Sequence, residues 1–248
     1  MIISPVVALI PARHASSRLP GKMLLAETGK PVIVHVLERA RECQSLMRVV
    51  VCADDARICE AVAAHGGEAI LTRADHPNGT SRLAEAADLL ALSPDTVVVN
   101  IQGDEPEIEP EVVDRLVAEM LAHPAVPMGT VATPFPAGDK ATDPNIVKVV
   151  LSQHRRALYF SRAPIPWDRD AGTPGACLKH MGLYAYRRWF LPTYAAMAPT
   201  PLEQAEKLEQ LRVLENGHAI CVIEAAASPA GIDTREQYEA FVKRFNAR

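Results

Sequence analysis

The sequence predicts an α/β fold: a doubly wound, mostly parallel sheet with a small β-rich lobe. Three observations carry this. Short β-branched apolar runs alternate with amphipathic helical stretches through the first half of the chain. Its 248 residues suit one large α/β domain, or one domain with a small appended lobe. Beyond Ala125 the alternation stops, and strand-like runs follow one another without regular helices between them.

Val6–Ile10 reads as a buried strand. Pro31–Glu42 reads as a helix with Pro in its first turn and an apolar stripe of Val32, Val36, Leu37 and Ala40. Arg48–Ala53 is a second strand, ending at Asp54-Asp55. Ala56–Ala64 is helical and stops at Gly66-Gly67. Glu68–Leu71 is a short strand, Thr72–Thr80 a polar loop and Ser81–Leu92 a helix. Thr96–Gln102 is a third strong strand, followed by Gly103-Asp104-Glu105-Pro106 and a helix over Glu109–Ala122. Ligands of such sheets bind outside the carboxyl ends of the strands, so the loops starting at Pro11, Thr72 and Gln102 can share one crevice.

In the second half, Met128–Thr133, Ile146–Leu151, Ala157–Ser161 and Lys179–Tyr186 read as strands, with a Pro, Asp and Gly-rich stretch, Arg162–Gly175, between them. Residues 125–190 are expected to include a β-rich lobe that covers the crevice and makes a dimer contact. Leu202–Leu214 reads as one helix, with Thr200 as N-cap, Pro201 at N1 and Glu203 at N3. Ala219–Ile223 is a strand, and a last helix starts after Thr234. The whole, 1–248, is read as a single Rossmann-like domain.

A net charge of −4 and a pI near 6.1 argue against broad binding to nucleic acid or a membrane surface. The five cysteines, at 43, 52, 59, 177 and 221, are odd in number and have no C-x-x-C spacing. They read as reduced structural thiols of a cytoplasmic protein. The apolar run after Pro5 is too short for a signal peptide, and nothing later approaches a membrane span.

Pro11-Ala12-Arg13-His14-Ala15-Ser16-Ser17-Arg18-Leu19-Pro20-Gly21-Lys22 organises the chemistry. A strand feeding a loop with two Arg, one Lys, two Ser and a Gly is a phosphate cradle. Arginine supplies a planar fork, and lysine a point charge. The spacing is neither a Walker A motif nor G-x-G-x-x-G. A basic surface loop is the alternative.

Asp104 follows a strand, where a carboxylate can hold Mg²⁺ against phosphate oxygens, and Gly103 would let a ligand approach the backbone. Capping a turn is the other reading of Asp104 or Glu105. Asp233 precedes a helix better capped by Thr234 with Gln237, which frees it for another role. Two such carboxylates could bracket one or two Mg²⁺ ions. His180, Gly182, Tyr184 and Tyr186 share one strand face, polar and aromatic enough for a sugar. Glu206, Glu209 and Gln210 lie off the apolar stripe of their helix, as on any solvated face, and Glu209 could pair with Arg212.

The Pro11–Lys22 loop resembles the signature of sugar nucleotidyltransferases, P-A-R-x-x-S-x-R-L-P-x-K. Further blocks follow in order: Thr72–His76, Gly79–Glu85, Gln102–Pro106, Pro144–Val150, Tyr159–Trp167, His180–Tyr184, Leu208–Arg212 and Gly231–Thr234. Together they resemble the 3-deoxy-manno-octulosonate (Kdo) cytidylyltransferase family. Phe160–Trp167 and Leu208–Arg212 distinguish it from relatives that activate sialic acid.

The resemblance implies a nucleotide-diphospho-sugar transferase fold and transfer of CMP from CTP to the anomeric hydroxyl of Kdo, releasing pyrophosphate, for lipopolysaccharide biosynthesis. Catalysis would rest on Arg13, Lys22 and Asp104. The nucleotide would be bound by Ala12, Arg13, Arg18, Lys22, Arg73, Thr80, Ser81 and Arg82, with backbone groups of the Gly79–Arg82 turn reading the base. Gln102, Arg162, His180, Tyr184, Glu209 and Gln210 would line the sugar-acid pocket, and Asp104 and Asp233 would bind Mg²⁺. The sequence itself names no clear base: Asp104 or a metal-bound hydroxide could take the proton, and His180 is a weaker candidate. A homodimer is expected. His14 stands where Tyr is frequent, and Pro77-Asn78 replaces a more usual polar pair. Alternatives are another sugar acid (sialic acid or 8-amino-Kdo) and a non-catalytic nucleotide-binding regulator. A metal-dependent glycosyltransferase is weakened because Asp54-Asp55 lacks D-x-D spacing.

Overall fold

The computed structural model describes residues 4–247 except 17, 136–139, 171–176 and 228–230. Most of the expected Arg162–Gly175 stretch is described, but its last residues, 171–175, lie outside. The strands are β1 (Val6–Ala12), β2 (Arg48–Ala53), β3 (Glu68–Leu71), β4 (Val97–Asn100), β5 (Met128–Thr133), β6 (Lys148–Leu151), β7 (Ala157–Ser161), β8 (Leu178–Arg187) and β9 (Ile220–Glu224). The helices are α1 (Val32–Arg41), α2 (Ala56–Ala64), α3 (Gly79–Leu89), α4 (Pro110–Ala122), α5 (Phe190–Ala196), α6 (Pro201–Glu206), α7 (Leu211–Glu215) and α8 (Arg235–Asn246).

The main sheet runs β3-β2-β1-β4-β8-β5-β9. Every pairing along it is parallel except those of β8, which is antiparallel to both β4 and β5. Helices cover both faces because β1 is apolar on both. Ala8 and Ile10 join a core with residues of α1, α2 and α4, whereas Val7 and Leu9 join one with residues of α3, α5 and α7. The sheet is therefore doubly wound and mostly parallel, as expected. The small β-rich part is the β6–β7 pair, which leaves the main path and joins the outer end of β8. β5 and β8 themselves are strands of the main sheet.

Three elements differ from the sequence reading. α5 was not anticipated, because Pro192 interrupts its short apolar pattern; at the third position of a first turn, Pro is tolerated. The single helix over Leu202–Leu214 is two, α6 and α7, broken at Lys207 with φ of 54°. Arg162 takes the carbonyls of Glu206 (2.7 Å) and Lys207 (3.5 Å), which a continuous helix would need for itself. α3 starts earlier than expected because Asn78 caps it, its side chain accepting from the Ser81 N–H at 2.8 Å.

The last helix closes the fold over the phosphate-type loop. Ile232, Tyr238 and Phe241 pack with Leu19 and Val32, and the Tyr238 hydroxyl accepts from the Glu27 N–H at 2.8 Å. The five cysteines are free thiols. Among the described residues no helix is long and apolar enough to cross a membrane.

Candidate active site

The carboxyl ends of β1 and β4 open into one cleft made of two adjoining hollows. Gly79 and Gln102 line both. The first hollow holds Arg13, Arg18, Lys22, Asp104 and Asp233, and the second holds Thr80, Asn100, Tyr184, Tyr186, Glu209 and Gln210.

Two glycines shape the first hollow. Gly21 has φ of 69°, a left-handed turn that starts the 3-10 turn Lys22–Leu24 and aims Lys22 inward. A Cβ on Gly103 would sit 2.8 Å from the Pro11 carbonyl oxygen. Gly103 therefore serves the contact between the loops after β1 and β4, and it also lines the first hollow.

Lys22 is buried, and its ammonium donates to Asp104 Oδ2 at 2.5 Å, the Ile232 carbonyl at 2.9 Å and Asp233 Oδ1 at 3.0 Å. Arg18 also reaches Asp233 Oδ1, at 3.0 Å. The Ile232 N–H donates to the Asp104 carbonyl at 2.8 Å, so the two distant loops are stitched together behind their carboxylates. Thr234 and Gln237 cap α8 reciprocally, and Asp233 is left to face the cations. Beside them, Glu105 has a buried oxygen without a hydrogen-bond partner among the described residues. Burial, then the charges of Asp104 and Asp233, push its carboxyl up to about 8, so it stays protonated at neutral pH.

This arrangement fits Mg²⁺. The ion commonly takes one or two carboxylates and completes its shell with water and substrate phosphates. Asp104 and Asp233 converge on a single cation, the Lys22 ammonium, and both line the first hollow. Among the described residues no cluster of three or more His, Cys, Asp or Glu side chains is placed to hold a metal unaided.

Arg13 leaves the end of β1 and donates to the His76 carbonyl at 3.1 Å. Ala12 closes β1, its carbonyl accepting from the Asp54 N–H at 3.3 Å. Asp54 braces this loop: Oδ1 accepts from the His14 N–H at 2.8 Å, and Oδ2 lies 3.6 Å from the fully buried Arg82. Arg82 also donates to Thr72 Oγ1 at 2.6 Å. Its guanidinium is thus a strut beneath the cleft rather than part of its lining. Asp55 caps α2 through the Arg57 N–H at 2.9 Å. The acidic pair after β2 is structural.

Thr80 lies at the start of α3 and shares a hydrogen bond of 3.3 Å with the Tyr186 hydroxyl. Ser81 donates to the Asn78 carbonyl at 3.0 Å and faces His76. Arg73 stands exposed on the rim, 3.7 Å from Asp75 and 3.8 Å from Glu85.

In the second hollow, Gln102 donates to the Gly182 carbonyl at 3.1 Å and Tyr194 to Glu209 Oε2 at 3.4 Å. Glu209 and the buried Gln210 are presented by the break between α6 and α7. Arg212 pairs with Glu203 across that break; the sequence had offered it Glu209. Arg162 donates to the carbonyls of Pro144 (2.8 Å) and Glu206 (2.7 Å), so it holds the break in place from outside the hollow. His180 sits behind Tyr184, against Phe160, with Nε2 3.0 Å from Thr130 Oγ1. Burial pushes its imidazole down to about 3, which keeps it neutral and makes it a poor base.

Sequence reasoning missed Asn100 and Tyr194. Asn100 is 3 % exposed, lines the second hollow at the end of β4, and its Oδ1 has no hydrogen-bond partner among the described residues. The only sequence signal was a polar residue closing an all-valine run.

A cation cradle at the end of a parallel strand, facing paired carboxylates, defines a phosphate-handling α/β enzyme. A family model described as cytidylyltransferase matches residues 7–220, and the chain belongs to that family. It is 51% identical over 238 residues to the 3-deoxy-manno-octulosonate cytidylyltransferase of Syntrophobacter fumaroxidans, covering 96% of this chain and 95% of that protein. A solved CMP:2-keto-3-deoxy-manno-octonic acid synthetase complexed with CTP superposes with a TM-score of 0.93 at 44% identity, over 98% of this chain and 99% of that one. A cytidylyltransferase from Leptospira borgpetersenii, 17% identical, shares the fold with a TM-score of 0.65 over 99% of this chain and 88% of its own.

Proposed function

We propose that this cytidylyltransferase transfers CMP from CTP to the anomeric hydroxyl of Kdo, giving CMP-Kdo and pyrophosphate for lipopolysaccharide biosynthesis. The observation that carries the reading is the pair of adjoining hollows. The first concentrates Arg13, Arg18 and Lys22 opposite Asp104 and Asp233; the second is polar and aromatic and meets the first at Gly79 and Gln102. A triphosphate in the first hollow and a sugar acid in the second would bring the α-phosphorus and the attacking hydroxyl together at that junction. The likeness to a synthetase solved with CTP supports the nucleotide, and the relative that acts on 3-deoxy-manno-octulosonate supports the sugar acid.

The chemistry is positioning and charge neutralisation. Arg13 and Lys22 bind the phosphates and stabilise the leaving pyrophosphate, with Arg18 helping. Backbone groups at Gly79–Arg82 face the base, near Arg73. Asn100, Gln102, Tyr184, Glu209 and Gln210 supply hydrogen bonds to sugar hydroxyls, with Arg162 and His180 supporting that wall. Asp104 and Asp233 would hold Mg²⁺, which when bound neutralises charge on phosphate oxygens. The reading also takes residues 1–248 as one domain, acting in the cytoplasm as a homodimer, with the 125–190 lobe covering the crevice and making the dimer contact. Leu158 on β7, 61% exposed, supports that contact.

Pyrophosphate release from CTP, measured with Mg²⁺ across a panel of sugar acids, tests this. Release with Kdo well above sialic acid and 8-amino-Kdo is expected. Preference for either of the others would reassign the second hollow, and CTP binding without turnover of any acid would favour a regulator.

A further inference from the structure

The two carboxylates assigned to the metal are already neutralised by the chain itself. The three ammonium protons of Lys22 match three acceptors: Asp104 Oδ2 at 2.5 Å, Asp233 Oδ1 at 3.0 Å and the Ile232 carbonyl at 2.9 Å. Arg18 adds a second cation to Asp233 at 3.0 Å. Both carboxylates are thus paired with cations of the chain before any ligand enters, and Arg13 adds a further positive charge to the same hollow.

We propose that Lys22 is a positioning residue for the metal ligands and makes metal binding conditional on nucleotide: its ammonium holds the cation position between Asp104 and Asp233 until phosphate oxygens draw it away. The inference rests on the proposed reading of these carboxylates as Mg²⁺ ligands. It follows from geometry and charge. A divalent ion entering alone would meet carboxylates that are already paired and an ammonium a few ångströms off, a repulsion only weakly screened because the Lys22 side chain is 8% exposed. It would also have to shed tightly held water to displace a competitor covalently tethered at high effective concentration. The Ile232 N–H donates to the Asp104 carbonyl at 2.8 Å, so the backbones that carry the two carboxylates are held close to each other. A triphosphate reverses the balance. It offers Lys22 new oxygens along the same loop and adds the negative charge that a metal requires. Lys22 therefore acts twice, first guarding the carboxylates and then gripping the phosphates.

The test is Mn²⁺ titration of the full chain followed by electron paramagnetic resonance, on wild type, Lys22→Met, Asp104→Asn and the double variant. Without nucleotide, K22M should bind Mn²⁺ about tenfold tighter than wild type, within the usual range of site-to-site coupling. The gain should vanish in the double variant. With Lys22 intact, D104N should alter Mn²⁺ binding relative to wild type only when CTP is present. If K22M binds no tighter than wild type, the guarding role is wrong. The comparison of wild type with D104N decides even if K22M fails to fold: loss of nucleotide-free Mn²⁺ binding in D104N would show the site open without CTP and overturn the proposal. D104N leaving Mn²⁺ retention with CTP unchanged would instead remove the metal reading beneath it.

Discussion

Arg212 holds Glu203 in a two-point fork, Nε to Oε2 at 2.7 Å and the terminal nitrogen to Oε1 at 2.5 Å, with both side chains nearly buried. The fork joins the start of α6 to α7 and folds the chain back at Lys207, so that Glu209 and Gln210 face the cleft. Removing one charge leaves the other buried and unpaired. Glu203→Gln should therefore cost about 3 kcal/mol of stability in a denaturant titration. It should also raise KM for Kdo more than KM for CTP. An unchanged unfolding midpoint would show that the break is held by Arg162 alone.

Gly103→Ala tests the contact between the loops after β1 and β4. The added methyl would meet the Pro11 carbonyl at 2.8 Å, and relieving that contact requires backbone to shift. A stability loss of about 1–3 kcal/mol is expected, as for other overpacked sites. Turnover should fall further than this loss explains, because Lys22 and Asp104 sit on the two loops that are forced apart. Wild-type kcat in a folded G103A protein would show that the spacing is not critical.

Asn100 carries an acceptor oxygen that no group among the described residues satisfies. If a sugar hydroxyl supplies the missing donor, Asn100→Leu, of similar volume, should raise KM for Kdo about tenfold, the worth of one hydrogen bond near 1.4 kcal/mol. KM for CTP should stay within about twofold of wild type on the same scale. Parallel rises in both constants would point to a collapsed hollow instead.

Two buried histidines contribute to the loss of stability in acid. Burial pushes His180 down to about 3, and burial with the Lys30 charge pushes His35 down to about 4. Unfolded, each would titrate near 6.5. The folded state thus binds fewer protons than the unfolded state below pH about 6.5, and stability should fall as pH drops from there toward about 4 and then about 3. Melting temperatures of wild type and His180→Gln across that window check this. The variant should lose part of the slope; an identical slope would move the effect to other groups.

Much of this was legible in the sequence because it depends on local patterns. The strand at Val6, the Thr234 cap and the Pro11–Lys22 loop each declare themselves within a few residues, by period, by capping chemistry and by clustered cations. Arg82 and Arg162 were not legible in this way. An arginine beside a cleft and one buried beneath it look alike in sequence, and only the positions of Asp54, Thr72 and the Glu206 carbonyl separate them. The break at Lys207 was hidden for a similar reason. The residues around it have good helix propensity, and the competing partners lie on β7 and in the loop that follows it. Asn100 was missed because an unsatisfied oxygen is a property of three-dimensional surroundings.

The most direct measurement is phosphorus NMR of the wild-type chain with CTP, Kdo and Mg²⁺. The proposed reaction predicts loss of the three CTP resonances with growth of pyrophosphate and one new phosphodiester signal, and neither product without Kdo. CTP that persists with Kdo present, or pyrophosphate that accumulates equally without it, would contradict transfer of CMP to this sugar acid.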